Sequence, residues 1–164
     1  MVGTQLRHKQ KRMTEFKTID DILDFAIKEE QRASDLYASL AARSRNRMIQ
    51  EVFEQFSKEE LGHKKRLESI KSGAVPAVSK EKVQDLKIGD YLVEVNSSRD
   101  DLTYQESLIV AMKEEKAAFR LYSDLASRTE NSTLKETFLM LAQEEARHKL
   151  RFEIEYDDYI LKEN

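Results

Sequence analysis

Two Glu-x-x-His motifs are the residues of this chain best suited to chemistry. They are Glu60…His63, within KEELGHKK, and Glu145…His148, within QEEARHK. The chain has three histidines in all, so the motifs use all but one of them. A glutamate and a histidine three residues apart lie on one face of a helix, so both can reach the same metal ion. One such motif on a charged helix is usually an ordinary surface feature, so the repetition is what matters.

The sequence around these motifs is duplicated along the chain. At an offset of 85 positions, residues 26–68 and 111–153 share 19 of 43 residues, including both Glu-x-x-His motifs. This period is too long for the unit of a solenoid. It indicates one helical hairpin that occurs twice, with a pseudo-twofold axis between the copies.

Capping signals and apolar periodicity predict four helices. Two helix starts combine a threonine with an acid three residues later, the pattern of a capping box. Asparagine or serine can cap the other two starts through a side-chain oxygen. The predicted helices run from Thr18 to about Arg43, from Asn46 to near Lys71, from Thr103 to about Arg128, and from Asn131 or Ser132 into the C-terminal region.

The lengths of the connections predict the topology. The first and third links are a few residues long, so each helix pair should form an antiparallel hairpin. The link at about 73–102 is long enough to cross the bundle, so the second and third helices can run parallel. The predicted fold is all-α: a four-helix bundle of two duplicated helical hairpins joined by a long crossover. We expect residues 1–17 to be a disordered basic arm and residues 18–164 to form the bundle.

Each predicted helix carries polar residues within its apolar stripe. On the first and third helices, stripes spaced by three and four residues include one glutamate each. On the second and fourth helices, the stripes include the two Glu-x-x-His motifs. The six polar stripe residues are Glu30, Glu60, His63, Glu115, Glu145 and His148. We expect their side chains to meet in the core.

Four buried carboxylates need positive charge among them. An unpaired buried carboxylate is costly or is forced to take up a proton, and no lysine or arginine lies on the stripes nearby. Two divalent cations would balance the four charges, and the histidines would complete the coordination. The sequence therefore predicts a two-metal centre. The register stays open at two places, because Glu29 fits its stripe nearly as well as Glu30, and Glu59 adjoins Glu60.

Two tyrosines accompany the predicted ligands at equivalent positions of the repeat. Tyr37 and Tyr122 lie on the same stripes as the glutamates of the first and third helices. Two interpretations are open: they are plain core aromatics, or each hydroxyl donates a hydrogen bond to a metal-bound carboxylate.

The composition excludes several other kinds of site and partner. The chain has no cysteine, which excludes disulfides, thiolate metal sites and cysteine nucleophiles. Its net charge of −3 gives no electrostatic case for a nucleic-acid partner. It has no apolar run long enough to span a membrane and no secretory signal at its start, so we expect a cytoplasmic location.

The constellation resembles the ferritin-like di-iron carboxylate superfamily and, within it, the rubrerythrin-like proteins. That superfamily combines one glutamate from each of two helices with Glu-x-x-His from each of the other two. The family pattern Glu-x-x-Ala-x-x-x-Tyr implies Glu30 and Glu115 as ligands. The segments that carry the match are EQRASDLY (30–37), EELGH (59–63), EKAAFRLY (115–122) and EEARH (144–148).

The resemblance implies two iron ions per bundle, with manganese or zinc as substitutes. It implies an oxidoreductase that reduces peroxide or oxygen with electrons from an external donor, as in protection against oxidative stress. One alternative is a ferroxidase or iron-handling protein that takes Fe(II) as its substrate. A second alternative is a structural or regulatory bundle that the metal stabilises.

Two departures from the rubrerythrin pattern affect these expectations. Rubrerythrins carry a cysteine-ligated iron domain, and this cysteine-free chain would need a separate electron donor such as a rubredoxin. Rubrerythrins also carry a further glutamate three residues after the ligand of the third helix, where this chain has Ala118. We expect a homodimer or a higher homo-oligomer with no membrane partner.

Overall fold

Four long helices make up the part of the chain that the computed structural model describes, residues 18–74 and 101–163. A five-residue π-helical turn, Ile70–Ala74, follows the second helix. The predicted arm of residues 1–17 and residues 75–100 of the predicted crossover lie outside the described residues. The helices are α1 (Ile19–Arg43), α2 (Arg47–Ser69), α3 (Tyr104–Arg128) and α4 (Ser132–Glu163).

Capping boxes start α1 and α3, as the sequence predicts. The Thr18 hydroxyl accepts a hydrogen bond from the Asp21 backbone N–H at 3.2 Å, and the Asp21 carboxylate accepts one from the Thr18 N–H at 3.2 Å. Thr103 and Glu106 make the same two bonds, both at 3.1 Å. Each box satisfies backbone donors that a helix start would otherwise leave unpaired.

Asparagine caps start α2 and α4 and close the two hairpins. Asn46 Oδ1 accepts from the Met48 N–H at 2.9 Å, and Asn131 Oδ1 accepts from the Leu134 N–H at 3.0 Å. Of the two candidate caps for α4, Asn131 is therefore the one used. Since only residues 44–46 and 129–131 separate the paired helices, α1 packs against α2 and α3 against α4, which confirms the two hairpins.

Two apolar clusters, one on each side of the bundle's middle, fix the helix directions. One joins the start of α1, the end of α2, the end of α3 and the start of α4. The other joins the opposite end of each helix. The helices α2 and α3 therefore run parallel, as predicted from the long link between them. The largest fully buried side chains of the described residues are Tyr37, Tyr122, Phe53, Phe56, Phe138 and Phe152.

The end of α2 falls close to its predicted position. The α-helical part ends at Ser69, and the π-helical turn continues to Ala74. Gly73 within that turn has φ of 105°, a conformation that glycine adopts without the steric cost that a side chain would bring. None of the described helices has the length and apolar content needed to cross a bilayer.

Candidate metal centre

The six polar stripe residues meet at the middle of the bundle, between the two apolar clusters. Each helix contributes at mid-length, so the docking of the two hairpins brings the six side chains together. All six are buried, with exposed fractions of 3% for Glu30, 2% for Glu60, 4% for His63, 1% for Glu115, 0% for Glu145 and 7% for His148.

The six residues form two overlapping groups of four. In each group, one ligand atom per residue lies within 4.8 Å of the others. Glu60 and Glu145 belong to both groups, so these two carboxylates lie between the two positions. The first group adds Glu30 and His63, and the second adds Glu115 and His148.

The same ring nitrogen of each histidine faces the carboxylates. His63 Nδ1 lies 3.0 Å from Glu145 Oε1 and 3.2 Å from Glu60 Oε2. His148 Nδ1 lies 3.1 Å from Glu60 Oε1 and 3.4 Å from Glu145 Oε2. The two rings are nearly parallel, with centroids 5.7 Å apart. The pseudo-twofold symmetry of the sequence is therefore present in the geometry of the site.

Both tyrosines donate hydrogen bonds to site carboxylates, which is one of the two interpretations of their sequence positions. The Tyr37 hydroxyl bonds to Glu115, and the Tyr122 hydroxyl bonds to Glu30. Each bond joins α1 to α3, so each tyrosine donates its hydrogen bond to the glutamate of the other hairpin. Burial and the neighbouring carboxylates raise the pKa of both tyrosines well above its usual value, so the hydroxyls keep their protons and act as donors.

Two further glutamates contact the outer nitrogens of the histidines. Glu59 Oε2 lies 2.5 Å from His148 Nε2, and Glu144 Oε2 lies 2.6 Å from His63 Nε2. The apolar stripes include neither Glu59 nor Glu144, so the stripe pattern does not predict these contacts. The available signal was the repeat itself, because Glu59 and Glu144 occupy equivalent positions in its two copies.

The open choice between Glu29 and Glu30 is resolved by an arginine that the stripes did not include. Glu29 accepts a hydrogen bond from Arg32 Nε at 3.0 Å and lies outside both ligand groups. Arg32 also bonds across to Glu114 on α3, which is buried with 4% exposure. The burial of Glu114 was also missed, since it precedes the α3 stripe position by one residue.

The carboxylates carry the electrostatic cost of burial without a cation. Burial raises the pKa of Glu30, and the nearby charge of Glu60 raises it further, to about 8. Burial and the charge of Glu145 raise the pKa of Glu115 well above its ordinary value. Burial alone would lower the pKa of the two histidines, but hydrogen bonds with the surrounding carboxylates outweigh that effect and raise it. Protons therefore occupy this cluster in the metal-free protein.

Unsatisfied oxygens at the centre of the cluster fit a metal site. Glu115 Oε2 and Glu145 Oε2 are buried and have no hydrogen-bond partner among the described residues. A buried acceptor without a partner costs about 1–3 kcal/mol, and a cation between the carboxylates would remove that cost. Four carboxylates with two imidazoles suit divalent iron or manganese, and zinc also binds such donors. The residues present therefore fit two divalent ions.

Next to the carboxylate cluster, the bundle has a small cavity on one face and a wider cleft on the opposite face. Between α1 and α3, a cavity of about 20 Å³ touches all four ligand carboxylates and is bounded by Ala33, Ala117 and Ala118. Between α2 and α4, a wider surface cleft of about 470 Å³ lies over the histidine edges. The residues lining that cleft are Glu59, Gly62, His63, Arg66, Glu144, Arg147, His148 and Arg151.

Comparisons with known proteins agree with this arrangement. A Thermotoga maritima protein assigned by its description to the ferritin-like di-iron carboxylate proteins has a similar structure. It has a TM-score of 0.75 at 23% identity, over 88% of this chain and 97% of that one. A hypothetical protein from Pyrococcus furiosus has a TM-score of 0.64 at 25% identity, over 85% of this chain and 89% of that one. The search of curated proteins found no match. The family model for rubrerythrin matches residues 21–156, and the chain therefore belongs to the rubrerythrin family.

Proposed function

We propose that this protein is a di-iron oxidoreductase that reduces hydrogen peroxide or dioxygen with electrons from a separate donor protein. The observation that carries this proposal is the cavity between α1 and α3, which touches all four ligand carboxylates. Structural metal sites are closed by protein ligands, whereas catalytic sites keep a position open for a small molecule. The cavity continues from the ligand carboxylates to the partly exposed residues Arg32 and Ala117, so a small molecule could reach bound metals from this face. Such access supports turnover rather than a purely structural role for the metal.

Under this proposal the six ligands divide between two ions. Glu30 and His63 would hold one ion, Glu115 and His148 would hold the other, and both Glu60 and Glu145 would reach the two. When bound, two ferrous ions supply two electrons, which with two protons convert one hydrogen peroxide molecule to two waters. A separate electron-transfer protein such as a rubredoxin would then reduce the irons again.

The protein's own residues would orient the ligands and keep the site dry. Tyr37 and Tyr122, by their hydrogen bonds to Glu115 and Glu30, would hold those carboxylates in one orientation. The phenols would stay protonated because burial raises their pKa. Phe25, Leu121 and the alanines would limit the water beside the ligands to the small cavity, whose other wall is formed by charged side chains.

The free space beside the ligand carboxylates is small. The cavity of about 20 Å³ would hold about one water molecule, and the metal ions would themselves take part of that space. The small size favours hydrogen peroxide or dioxygen over alkyl hydroperoxides and other organic substrates.

Ferroxidase or iron-handling activity is the second candidate, and one observation favours it. Two further carboxylates, Glu29 and Glu114, lie along the cavity beside the four ligands, and carboxylates attract incoming Fe(II). Against it, Arg32 lies at the same place and pairs with both of them. The guanidinium would neutralise much of that attraction, so we rank this function below peroxide or oxygen reduction.

Anaerobic loading with two Fe(II) per bundle, followed by a hydrogen peroxide pulse, tests the proposal. We expect one hydrogen peroxide molecule to be consumed for every two irons oxidised, with the oxidation monitored by optical absorption. The reaction should repeat once the irons are reduced again. Glu145→Ala should abolish it, whereas Glu153→Ala, a partly exposed position on the same helix that pairs with Lys149, should not.

Two other outcomes would favour the alternatives. Oxidation and retention of many more than two irons per bundle would indicate iron handling. Full metal loading with no reaction towards peroxide or oxygen would indicate a structural or regulatory metal, and the proposal would be wrong.

A further inference from the structure

Arg32 on α1 lies at the solvent end of the cavity between α1 and α3. Its guanidinium donates hydrogen bonds to Glu29 on the same helix, with Nη2 at 2.7 Å, and to Glu114 on α3, with Nη1 at 3.3 Å. The exposed fraction of these side chains falls from 40% for Arg32 through 22% for Glu29 to 6% for Glu114. All three residues line the cavity, so the ion pair of Arg32 with Glu114 joins the two helices across its outer end.

The residue opposite Arg32 in the repeat is small. Ala117 on α3 occupies the position that is equivalent to Arg32, and it lines the same cavity. One copy of the hairpin therefore supplies a long side chain where the other supplies a methyl group. With a methyl group at both positions, the guanidinium would no longer lie across the route from solvent to the ligand carboxylates.

We propose that Arg32, held by Glu114, is a specificity-determining residue that closes the outer end of this cavity and keeps oxidants bulkier than hydrogen peroxide from the metal site. The inference rests on the proposed function and names the residue that limits its substrate by size. The planar guanidinium suits this role, because its fork of donors can be held by two carboxylates at once.

Closure by an ion pair at the cavity's outer end can be reversed. Opening requires Arg32 to leave Glu114, and a buried carboxylate without its partner is unfavourable, so the closed arrangement is the populated one. Arg32 can keep its bond to Glu29, on the same helix, when it turns outward. A brief opening would admit a molecule the size of hydrogen peroxide, whereas a bulkier hydroperoxide would need a wider and rarer displacement.

A single engineered thiol tests the closure without metal or turnover. The chain has no cysteine, so Ala33→Cys places the only thiol on the cavity wall, at a position that is 7% exposed. The full-length, metal-free protein is treated with methyl or benzyl methanethiosulfonate, which transfers its methylthio or benzylthio group to the thiolate and releases methanesulfinate. Mass spectrometry gives both rates. Their ratio does not depend on the fraction of thiolate, because that fraction is the same for both reagents.

Arg32→Ala with Glu114→Gln, made together in the Ala33→Cys protein, removes the closure and leaves no buried charge without its partner. We expect the benzyl rate to rise relative to the methyl rate by about tenfold or more, the scale on which pockets discriminate by size. Arg32→Lys should give an intermediate ratio, because an ammonium group keeps the charge but lacks the planar fork.

Two controls separate closure of the cavity from general loosening of the bundle. Arg128→Ala with Asp124→Asn removes an ion pair in which the arginine is similarly exposed, at 35%, and whose residues do not line this cavity. Leu134→Ala lowers the stability through a fully buried position in one of the apolar clusters. Both controls should keep the rate ratio of the protein that carries Ala33→Cys alone.

Hydroperoxides of two sizes give a second readout, on Fe(II)-loaded protein without the engineered thiol. With two electrons and two protons, hydrogen peroxide gives two waters, and tert-butyl hydroperoxide gives tert-butanol and one water. The wild type should react faster with hydrogen peroxide. Arg32→Ala with Glu114→Gln should narrow this preference by about tenfold.

The outcomes separate this inference from the proposed function. An unchanged ratio of thiol rates in the variant of Arg32 and Glu114 would overturn the inference, as would an equal rise in either control. It would also be overturned if both proteins reduced hydrogen peroxide with the same preference over tert-butyl hydroperoxide. A shifted thiol ratio in a protein that reduces neither hydroperoxide would show that the proposed function is wrong, while closure by Arg32 stands.

Discussion

Raising the pH should destabilise the metal-free protein, and Glu30 sets the size of the effect. Its pKa rises from 4.5 to about 8 on folding, mainly through burial and then through the charge of Glu60. A carboxylate with a raised folded pKa binds more protons in the folded state than in the unfolded state. Its contribution to stability is present below about pH 4.5 and is lost as the pH rises through about 8.

The magnitude follows from the shift. About 3.5 pKa units at about 1.4 kcal/mol each give an upper bound of about 5 kcal/mol lost between these pH values. The two histidines act in the same direction, because their folded pKa values are raised and the unfolded chain releases its imidazole protons above about pH 6.5. Domains are typically stable by about 5–15 kcal/mol, so the effect is a large part of the total.

Thermal melting of the metal-free protein at several pH values between about 5 and 8 is the assay. A loss of about 5 kcal/mol corresponds to a fall of about 10–20 °C in Tm for a chain of this size. Metal should suppress the fall, because it binds deprotonated ligands and stabilises the folded state. The gap between loaded and metal-free Tm should therefore widen with pH.

A matched pair of variants isolates the carboxylate responsible. Glu30→Gln removes one titrating group and should reduce the pH dependence of the metal-free protein, leaving the part that comes from Glu115 and the two histidines. Glu29→Gln, one residue away in the Arg32 ion pair, should leave it unchanged. A metal-free Tm that is constant or rises across this pH range would refute the reasoning, because the carboxylates would then not be sharing a buried, uncompensated site.

Three further changes test other parts of the site. Glu60→Ala should disturb both metal positions, seen as fewer than two ions per bundle in metal analysis, because Glu60 lies in both ligand groups. Tyr122→Phe should cost about 1–2 kcal/mol in urea unfolding, since the buried Glu30 loses its donor. Arg32→Met should cost about 2 kcal/mol or more by leaving Glu114 buried and unpaired, and Arg32→Met with Glu114→Leu should recover much of it.

The helices and the two hairpins could be predicted because their signals are local. A capping box is formed by residues three positions apart, so the pairs Thr18–Asp21 and Thr103–Glu106 carry their own evidence in the sequence. Because each link has only three residues, the following helix must fold back antiparallel to the preceding one. The convergence of the six polar residues could be predicted because the duplication repeats every one of them at one offset.

The partners of the site residues could not be predicted, because they depend on how the hairpins dock. The sequence places Glu59 beside Glu60, but only the docked geometry brings it to His148. Glu29 and Glu114 are equivalent in the repeat, yet 22% of the Glu29 side chain is exposed against 6% for Glu114. That difference in exposure arises because Arg32 on α1 contacts Glu114 on α3. A contact between two helices cannot be predicted from the periodicity of either helix alone.

The two hairpins are most alike where they build the site. The positions that are identical in both copies include the pairs Glu30/Glu115, Tyr37/Tyr122, Glu59/Glu144, Glu60/Glu145 and His63/His148. Two metal positions each need the same set of ligands and partners, which accounts for this symmetry. At each opening one pair breaks the symmetry, Arg32 opposite Ala117 and Gly62 opposite Arg147. Arg32 pairs with Glu114 on α3, whereas Ala117 at the equivalent position has no charge to offer Glu29, so this single substitution makes the two sides of the cavity between α1 and α3 unlike.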